Sequence, residues 1–414
     1  MCRVPGTLLT LVLGVSLCHA APVLALGPGV TIATGDMNGD GIPDLVELST
    51  DDSTVNVVTV DAEGDFTLLP PRSFADIAQM SSLAIADVDG DGLPDVIISD
   101  GSGSAAGVRV LLNDGHGDLA ADVSYPSETG AGVGPVSVSV ADINGDGKPD
   151  LVAANGRDGT VSVLMNNGDG TFAVPVSYAA GTDPVAVAVG DLNGDGLPDL
   201  VVADAAGNSV QILLNDGAGD FAAPVATPDG KGPVAVILAD VNGDGHPDVV
   251  VADQGDSKVA ILTGAGDGSF AAPVFYGTGP EPGWIAAHDL SGDGRLDLVT
   301  ANYSDGSVSV FANTGGGDFV PMQRVYPAYG SYDTVIMDVA GKPQLISANV
   351  PAGAVVVTQA SVSPKDPGSS PPPSSVTRKI QGAQDPQSSS GSGAIGLLSL
   401  VWLGMLGLSR RFAR

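Results

Sequence analysis

Cysteine is nearly missing from this chain of 414 residues: there are two, Cys2 and Cys18, both inside the first twenty positions. Nothing downstream can be stapled by a disulfide, so stability must come from elsewhere. Glutamate is almost as scarce, because of 48 acidic residues all but Glu47, Glu63, Glu128 and Glu281 are aspartate. A solvated helical surface would use Glu, the better helix former, whereas Asp favours turns, so the acidity belongs to turns. Lys and Arg number 16, leaving a formal net charge of −32. That excludes nucleic acid as a partner, since binding it takes clustered basic residues, and repels anionic glycans unless a cation bridges them. Three histidines follow residue 20, His116, His246 and His288, and they lie far apart. No Gly-x-Ser-x-Gly elbow, His-Glu-x-x-His pair or phosphate-binding Gly-Lys-Ser/Thr loop occurs. The reading is therefore a protein that is not an enzyme.

What the chain does have is one short acidic loop written six times, beginning at Asp36, Asp87, Asp142, Asp191, Asp240 and Asp289. The last four intervals, counted to a degenerate seventh copy at Asp338, are each 49 residues. Oxygen side chains stand at positions 1, 3, 5 and 9 of each loop, with Gly at position 6 for the sharp turn. Hard cations such as calcium take six to eight oxygen ligands at roughly 2.3–2.6 Å, commonly with the backbone carbonyl of position 7 among them. The expected metal residues are thus Asp36, Asn38, Asp40, Ile42 and Asp44; Asp87, Asp89, Asp91, Leu93 and Asp95; Asp142, Asn144, Asp146, Lys148 and Asp150. The other three loops give Asp191, Asn193, Asp195, Leu197 and Asp199; Asp240, Asn242, Asp244, His246 and Asp248; Asp289, Ser291, Asp293, Arg295 and Asp297. Ser291 departs furthest from the pattern, so the sixth site should be the weakest. At Asp338 the central Asp-Gly is lost and Gln344 replaces the last carboxylate, so no calcium is expected there. Six dications would offset 12 of the 32 net negative charges. An EF-hand is excluded, because Val202 stands where its bidentate Glu would be and the flanking runs are β-branched.

Read by periodicity, the repeat containing Asp191 has short β-rich runs at 185–189, 200–203, 210–214 and 221–225, separated by turns. Four strands per unit of 40–50 residues is the signature of a β-propeller. Seven loop positions imply seven blades over residues 21–360. The last repeat lacks a fourth strand, and Ala21-Pro22-Val23 resembles Ala223-Pro224-Val225, so the N-terminal stretch should supply that strand and close the ring. The expected fold is all-β, a seven-bladed propeller of four-stranded blades.

Repeats such as Phe172-Ala-Val-Pro-Val-Ser-Tyr178 followed by Asp191-Leu-Asn-Gly-Asp-Gly-Leu-Pro-Asp199-Leu-Val-Val-Ala resemble the FG-GAP/VCBS repeats of integrin-α-like propellers. The resemblance implies calcium in hairpin loops between the first and second strands of each blade, and partners on the opposite face. That face would be built by 155–159, 205–208, 254–257, 303–307 and the inter-blade loops. Tyr125, Tyr178, Tyr276 and Tyr326 recur at one repeat position and should pack between blades, whereas Trp284, Tyr329 and Tyr332 fall outside that register and are candidate ligand contacts.

The two ends read as export signals. Arg3, the apolar run 8–17 and Cys18-His-Ala20 form a secretory signal over residues 1–20, with the bulky Leu17 arguing against a lipid anchor at Cys18. A Pro/Ser/Gly-rich spacer covers 361–393. Residues 394–414, entered through Gly391-Ser-Gly393-Ala394, combine an apolar run too short to cross a bilayer comfortably with Arg410, Arg411 and Arg414. This tail resembles the GlyGly-CTERM sorting tails of Gram-negative bacteria, which implies inner-membrane contact before release; a plain anchor is the alternative. The expectation is an exported, monomeric, surface or secreted module that binds a protein or glycan with up to six calcium ions. The alternatives are a calcium-dependent polysaccharide lyase or hydrolase, or a lectin, on the same scaffold.

Overall fold

The structure, a computed structural model, describes residues 24–25, 29–49, 53–62, 66–74, 80–101, 107–127, 135–217, 219–325, 331–339, 342–349 and 354–359. Side chains are described between Thr31 and Val320 and at Ile336. All the described residues fall in one compact unit; the expected signal, spacer and sorting tail lie outside them. Among the described residues no helix is long and apolar enough to cross a membrane.

The fold is an all-β propeller. Sheet 1 holds Gly29–Gly35, Asp44–Ser49, Thr54–Val60 and Phe66–Leu68, with Arg72–Ser73 also paired to its third strand. Sheet 2 holds Met80–Ala86, Asp95–Asp100, Gly107–Leu111 and Val123–Pro126, and sheet 3 Ser137–Ala141, Asp150–Asn155, Thr160–Leu164 and Val176–Ala179. Sheet 4 is Pro184–Gly190, Asp199–Asp204, Ser209–Leu213 and Val225–Pro228; sheet 5 is Pro233–Ala239, Asp248–Asp253, Lys258–Leu262 and Val274–Gly277. Sheet 6 is Pro282–His288, Asp297–Asn302, Ser307–Gly315 and Asp318–Val325. All are antiparallel meanders. These six are complete blades with described side chains, against the seven expected.

The remaining strands form a ladder from both ends of the chain. Ser331–Val339, Lys342–Asn349 and Ala354–Gln359 pair in order, and Leu24–Ala25 adds beside the last of them through Leu24↔Val355 and Ala25↔Ala354. The two paired residues follow Pro22 as Val225–Pro228 follows Pro224. In this ladder Asp338 pairs with Pro343 and Val339 with Lys342, so strand pairing runs through the stretch where the other sheets have their acidic loop.

The middle strand of each complete blade is buried along its whole length, from Asp44–Ser49 through Asp297–Asn302. This explains why those runs are continuously apolar rather than alternating, because each is covered on both faces by neighbouring sheets. The core is accordingly a series of layers between adjacent sheets. Leu192, Val201, Ala203 and Ile212 of sheet 4 meet Val236, Val249, Val251 and Leu262 of sheet 5, for example. The outer strands are short and exposed, with Val225 63% and Val274 53% accessible.

One strand differs from its expected place. The run 221–225 is not the outer strand of sheet 4, which is Val225–Pro228. Phe221 instead makes an isolated bridge with Asn215, and Pro224, without an N–H, precedes the ladder rather than joining it.

Candidate metal centres

Each acidic loop is wound around its own carboxylates. In the fourth loop Asp191 accepts from the Gly194 N–H (2.7 Å) and the Gly196 N–H (2.9 Å). Asn193 Oδ1 accepts from the Asp195 N–H (2.9 Å), and Asp195 Oδ1 from the Leu197 N–H (2.9 Å). The position-1 and position-5 bonds recur from Asp36 and Asp40 to Asp289 and Asp293. Positions 4 and 6 must be glycine for conformation, not space: Gly243 and Gly245 have φ of 81° and 88°, and a Cβ on either would meet nothing within 4 Å.

Position 9 ties the loop to the blade. Asp199 is fully buried, and its two oxygens accept from the Leu192 N–H (2.9 Å) and the Asn215 N–H (2.7 Å). Asp44, Asp95, Asp150, Asp248 and Asp297 repeat both bonds. Burial raises the pKa of all six, to about 6 for Asp44 and Asp95, against the pull of those two N–H donors and with added repulsion from the loop carboxylates. Position 2 is the loop's plug: Met37, Val88, Ile143, Leu192, Val241 and Leu290 are all buried.

An asparagine that the sequence reading passed over locks four of the six loops to the next sheet. Asn166, 4% exposed at the end of the third strand of sheet 3, donates through Nδ2 to Val88 O (2.8 Å) in the loop of sheet 2 and to Pro149 O (2.8 Å) in its own. Its Oδ1 accepts from the Gly168 N–H (2.7 Å). Asn113 does the same to Met37 O, Asn215 to Ile143 O and Asn313 to Val241 O. Sheet 5 has Gly264 at this position, and there the Gly268 N–H takes over Leu192 O at 2.9 Å. The signal was a recurring Asn-x-Gly-x-Gly, legible once its period is aligned with the acidic loops.

The donor chemistry fits a hard cation. Every ligand offered at positions 1, 3 and 5 is oxygen, and a carboxylate has about four acceptor sites, so the loop N–H bonds leave lone pairs unused. In the second loop the oxygens of Asp87, Asp89 and Asp95 lie within 4.8 Å of one another. Among position-7 residues, Lys148 approaches Asp146 (3.4 Å) and Arg295 approaches Asp293 (2.5 Å), each answering a loop carboxylate.

The aromatic residues divide partly as expected. Tyr125, Tyr178 and Tyr276 meet Phe172, Phe221 and Phe319 of the following sheet edge-to-face, with centroids at 5.2, 5.2 and 5.6 Å. The Tyr178 hydroxyl donates to Asp220 (2.8 Å). Trp284 is not on an inter-blade loop. It lies on the first strand of sheet 6 opposite Ala301, in the register position of Ala186 and Ala235, and packs on Leu290, Val299, Val308 and Val310. Tyr326 and Tyr329 lie outside the described residues, and of Tyr332 only its place on the strand Ser331–Val339 is described.

Comparison with known proteins agrees with this architecture. Solved structures similar to the chain include a 6-phosphogluconolactonase candidate from Bacteroides uniformis (18% identity, 79% of this chain and 91% of that one, TM-score 0.55). A protein from Lactobacillus plantarum is 18% identical over 84% of this chain and 96% of its own, TM-score 0.57. An Agrocybe aegerita lectin that recognises non-reducing terminal N-acetylglucosamine is 23% identical over 72% and 80%, TM-score 0.49. At these identities the likeness to the Bacteroides and Lactobacillus proteins is one of fold. No curated protein matches. The FG-GAP-like repeat matches at residues 36–98, 89–153, 142–202, 191–251 and 240–300, well over half of the chain, and the protein belongs to that family.

Proposed function

We propose that this chain is an exported calcium-binding propeller that presents a ligand-binding face, serving as a surface or secreted adhesion module, with calcium in a structural role. The observation that carries this reading is the repetition of one oxygen-lined loop on one face of six successive sheets, most with the position-2 carbonyl clamped by the next sheet. A dication in such a loop relieves the repulsion among its carboxylates and stiffens the joint between two blades. Without disulfides, binding to the native state alone would stabilise the fold by mass action. Extracellular sites of this type bind at roughly 10⁻⁴–10⁻³ M, so calcium outside the cell would license folding there. The ring would be seven-bladed, with the N-terminal strand completing the last blade, and the signal and tail would deliver it outside the inner membrane.

Chelation tests the calcium part: the melting temperature should fall steeply in excess chelator and recover with calcium, and an unchanged melting curve would refute it. A glycan array paired with a reducing-end release assay tests the rest. Binding without turnover means a lectin, turnover an enzyme, and neither leaves a protein ligand.

A further inference from the structure

On the face away from the acidic loops, the middle strands of sheets 2 to 6 end on a buried polar residue: Asp100, Asn155, Asp204, Asp253 and Asn302. In four sheets the third strand places a polar partner two residues in from the paired position: Arg109, Ser162, Gln211 and Ser309. The Arg109 guanidinium binds Asp100 at 2.8–2.9 Å. Asn155 and Asn302 donate to Ser162 (2.8 Å) and Ser309 (2.9 Å). Asp204 accepts from Gln211 Nε2 and from the N–H groups of Thr182, Asp183 and Gly207.

Sheet 5 breaks the rule, because its partner position is Ala260. Asp253 is 0% exposed, and neither carboxylate oxygen has a hydrogen-bond partner among the described residues. The Gly230 N–H lies near enough to favour the ionised form slightly, without hydrogen-bond geometry. Both oxygens of Asp229, on the loop entering sheet 5, are buried and equally unpartnered, as is Asp256 Oδ1. Asp256 Oδ2 is held by Lys258 (2.7 Å), while Lys231 on the same loop as Asp229 is exposed. Asp204 completes the set of charges acting on Asp229. Burial first, then mutual repulsion, pushes Asp229 up to about 7 and Asp253 to about 8.

Buried carboxylates without donors are costly unless a positive charge answers them. In sheet 2 the chain supplies that charge itself, through Arg109. In sheet 5 no guanidinium stands at that position, the Lys258 ammonium that acts on Asp253 is taken up by Asp256, and the unpartnered atoms are all carboxylate oxygens, which match a small hard cation. We propose that Asp229 and Asp253 bind a divalent cation of the calcium or manganese type, with Asp256 and Lys258 at its rim, on the face opposite the six loops. Asp229 is the stronger of the two acidic charges acting on Asp253, which makes these two the inner pair. The three carboxylates do not converge within 4.8 Å as Asp87, Asp89 and Asp95 do, and Asp256 is the one already held by a cation, Lys258. The partly exposed side chains of Asp256 and Lys258 mark the side nearest solvent.

Crystals of the full chain equilibrated with Mn²⁺ test this by anomalous scattering, beside solution titrations that count bound equivalents. A peak between Asp229 and Asp253 is expected, and Asp253→Asn should bind one equivalent fewer. Ala260→Gln, which supplies the donor that Gln211 gives Asp204, should also lose one equivalent while melting higher than the parent chain in chelator. The proposal is overturned if the wild-type map is empty at Asp253 under saturating Mn²⁺, or if both variants bind as many equivalents as the parent; the cluster would then be holding a proton. The wild-type map decides the matter even where a variant fails to fold.

Discussion

Replacing Asn166 by Ala should destabilise the propeller by about 3 kcal/mol, an effect that a turn residue would not produce. The side chain is 4% exposed and makes three hydrogen bonds, to Val88 O, Pro149 O and the Gly168 N–H. Each contributes roughly 1 kcal/mol net, and a buried group left without a partner costs about 1–3 kcal/mol. Val88 O keeps a weaker bond from the Gly170 N–H at 3.3 Å, so the loss falls mainly on Pro149 O and Gly168 N, which holds the total near 3 rather than 6. The neighbouring Asn167 is the control: it is exposed, bonds only locally to Thr171 (2.9 Å), and its replacement by Ala should stay within about 0.5 kcal/mol. Urea unfolding with calcium present measures both, provided the m-value is unchanged. Because Val88 stands between Asp87 and Asp89 and Pro149 precedes Asp150, the same variant should weaken calcium binding at the loops of sheets 2 and 3 and at no other. Equal stabilities of the Asn166 and Asn167 variants would refute the reasoning.

Gly264→Asn, which restores the repeat's usual residue, should destabilise rather than stabilise, by about 1–3 kcal/mol, because a Cβ there meets Pro247 O at 2.2 Å; urea midpoints give the sign. In chelator, stability should fall as pH rises from about 4 to about 8. Asp229 and Asp253 titrate near 7 and 8 in the folded chain against an ordinary 3.8, so the folded state holds more protons throughout that window. Asp253→Asn should flatten the upper part of this slope in urea titrations between pH 6 and 8.5. Phe172→Ala, removing the ring that meets Tyr125, should cost about 3–5 kcal/mol, whereas Tyr178→Phe should cost only about 1 for its bond to Asp220; thermal melts rank the two.

Much of the fold could be read from the chain because its information is local and repeated. Loop spacing located the first and second strands of every blade, and the continuous apolar runs marked the strands covered on both faces. The fourth strands were misplaced because Phe221 and its equivalents look like strand residues but bury under the preceding tyrosine. What escaped was whatever depends on two repeats at once. Asn166 acts on a residue 78 positions away, so no pattern within one repeat announces it. Trp284 seemed out of register because an alanine holds its place in the two preceding sheets. Asp253 becomes unusual only when strand pairing sets Ala260 beside Arg109, Gln211 and their counterparts.

These exceptions coincide at one joint. Of the five joints described between sheets 1 and 6, the one between sheets 4 and 5 alone lacks the asparagine clamp on one face, and it carries the unanswered carboxylates on the other. Each sheet of the propeller is held from both sides by its neighbours, and at this seam the polar part of that hold is thinnest. In chelator this seam should part first, since beside its apolar layer the bonds described across it are few, such as Gly268 N–H to Leu192 O and Gly232 N–H to Asn208 Oδ1. A protease added with chelator should make its first cut at residues 229–232.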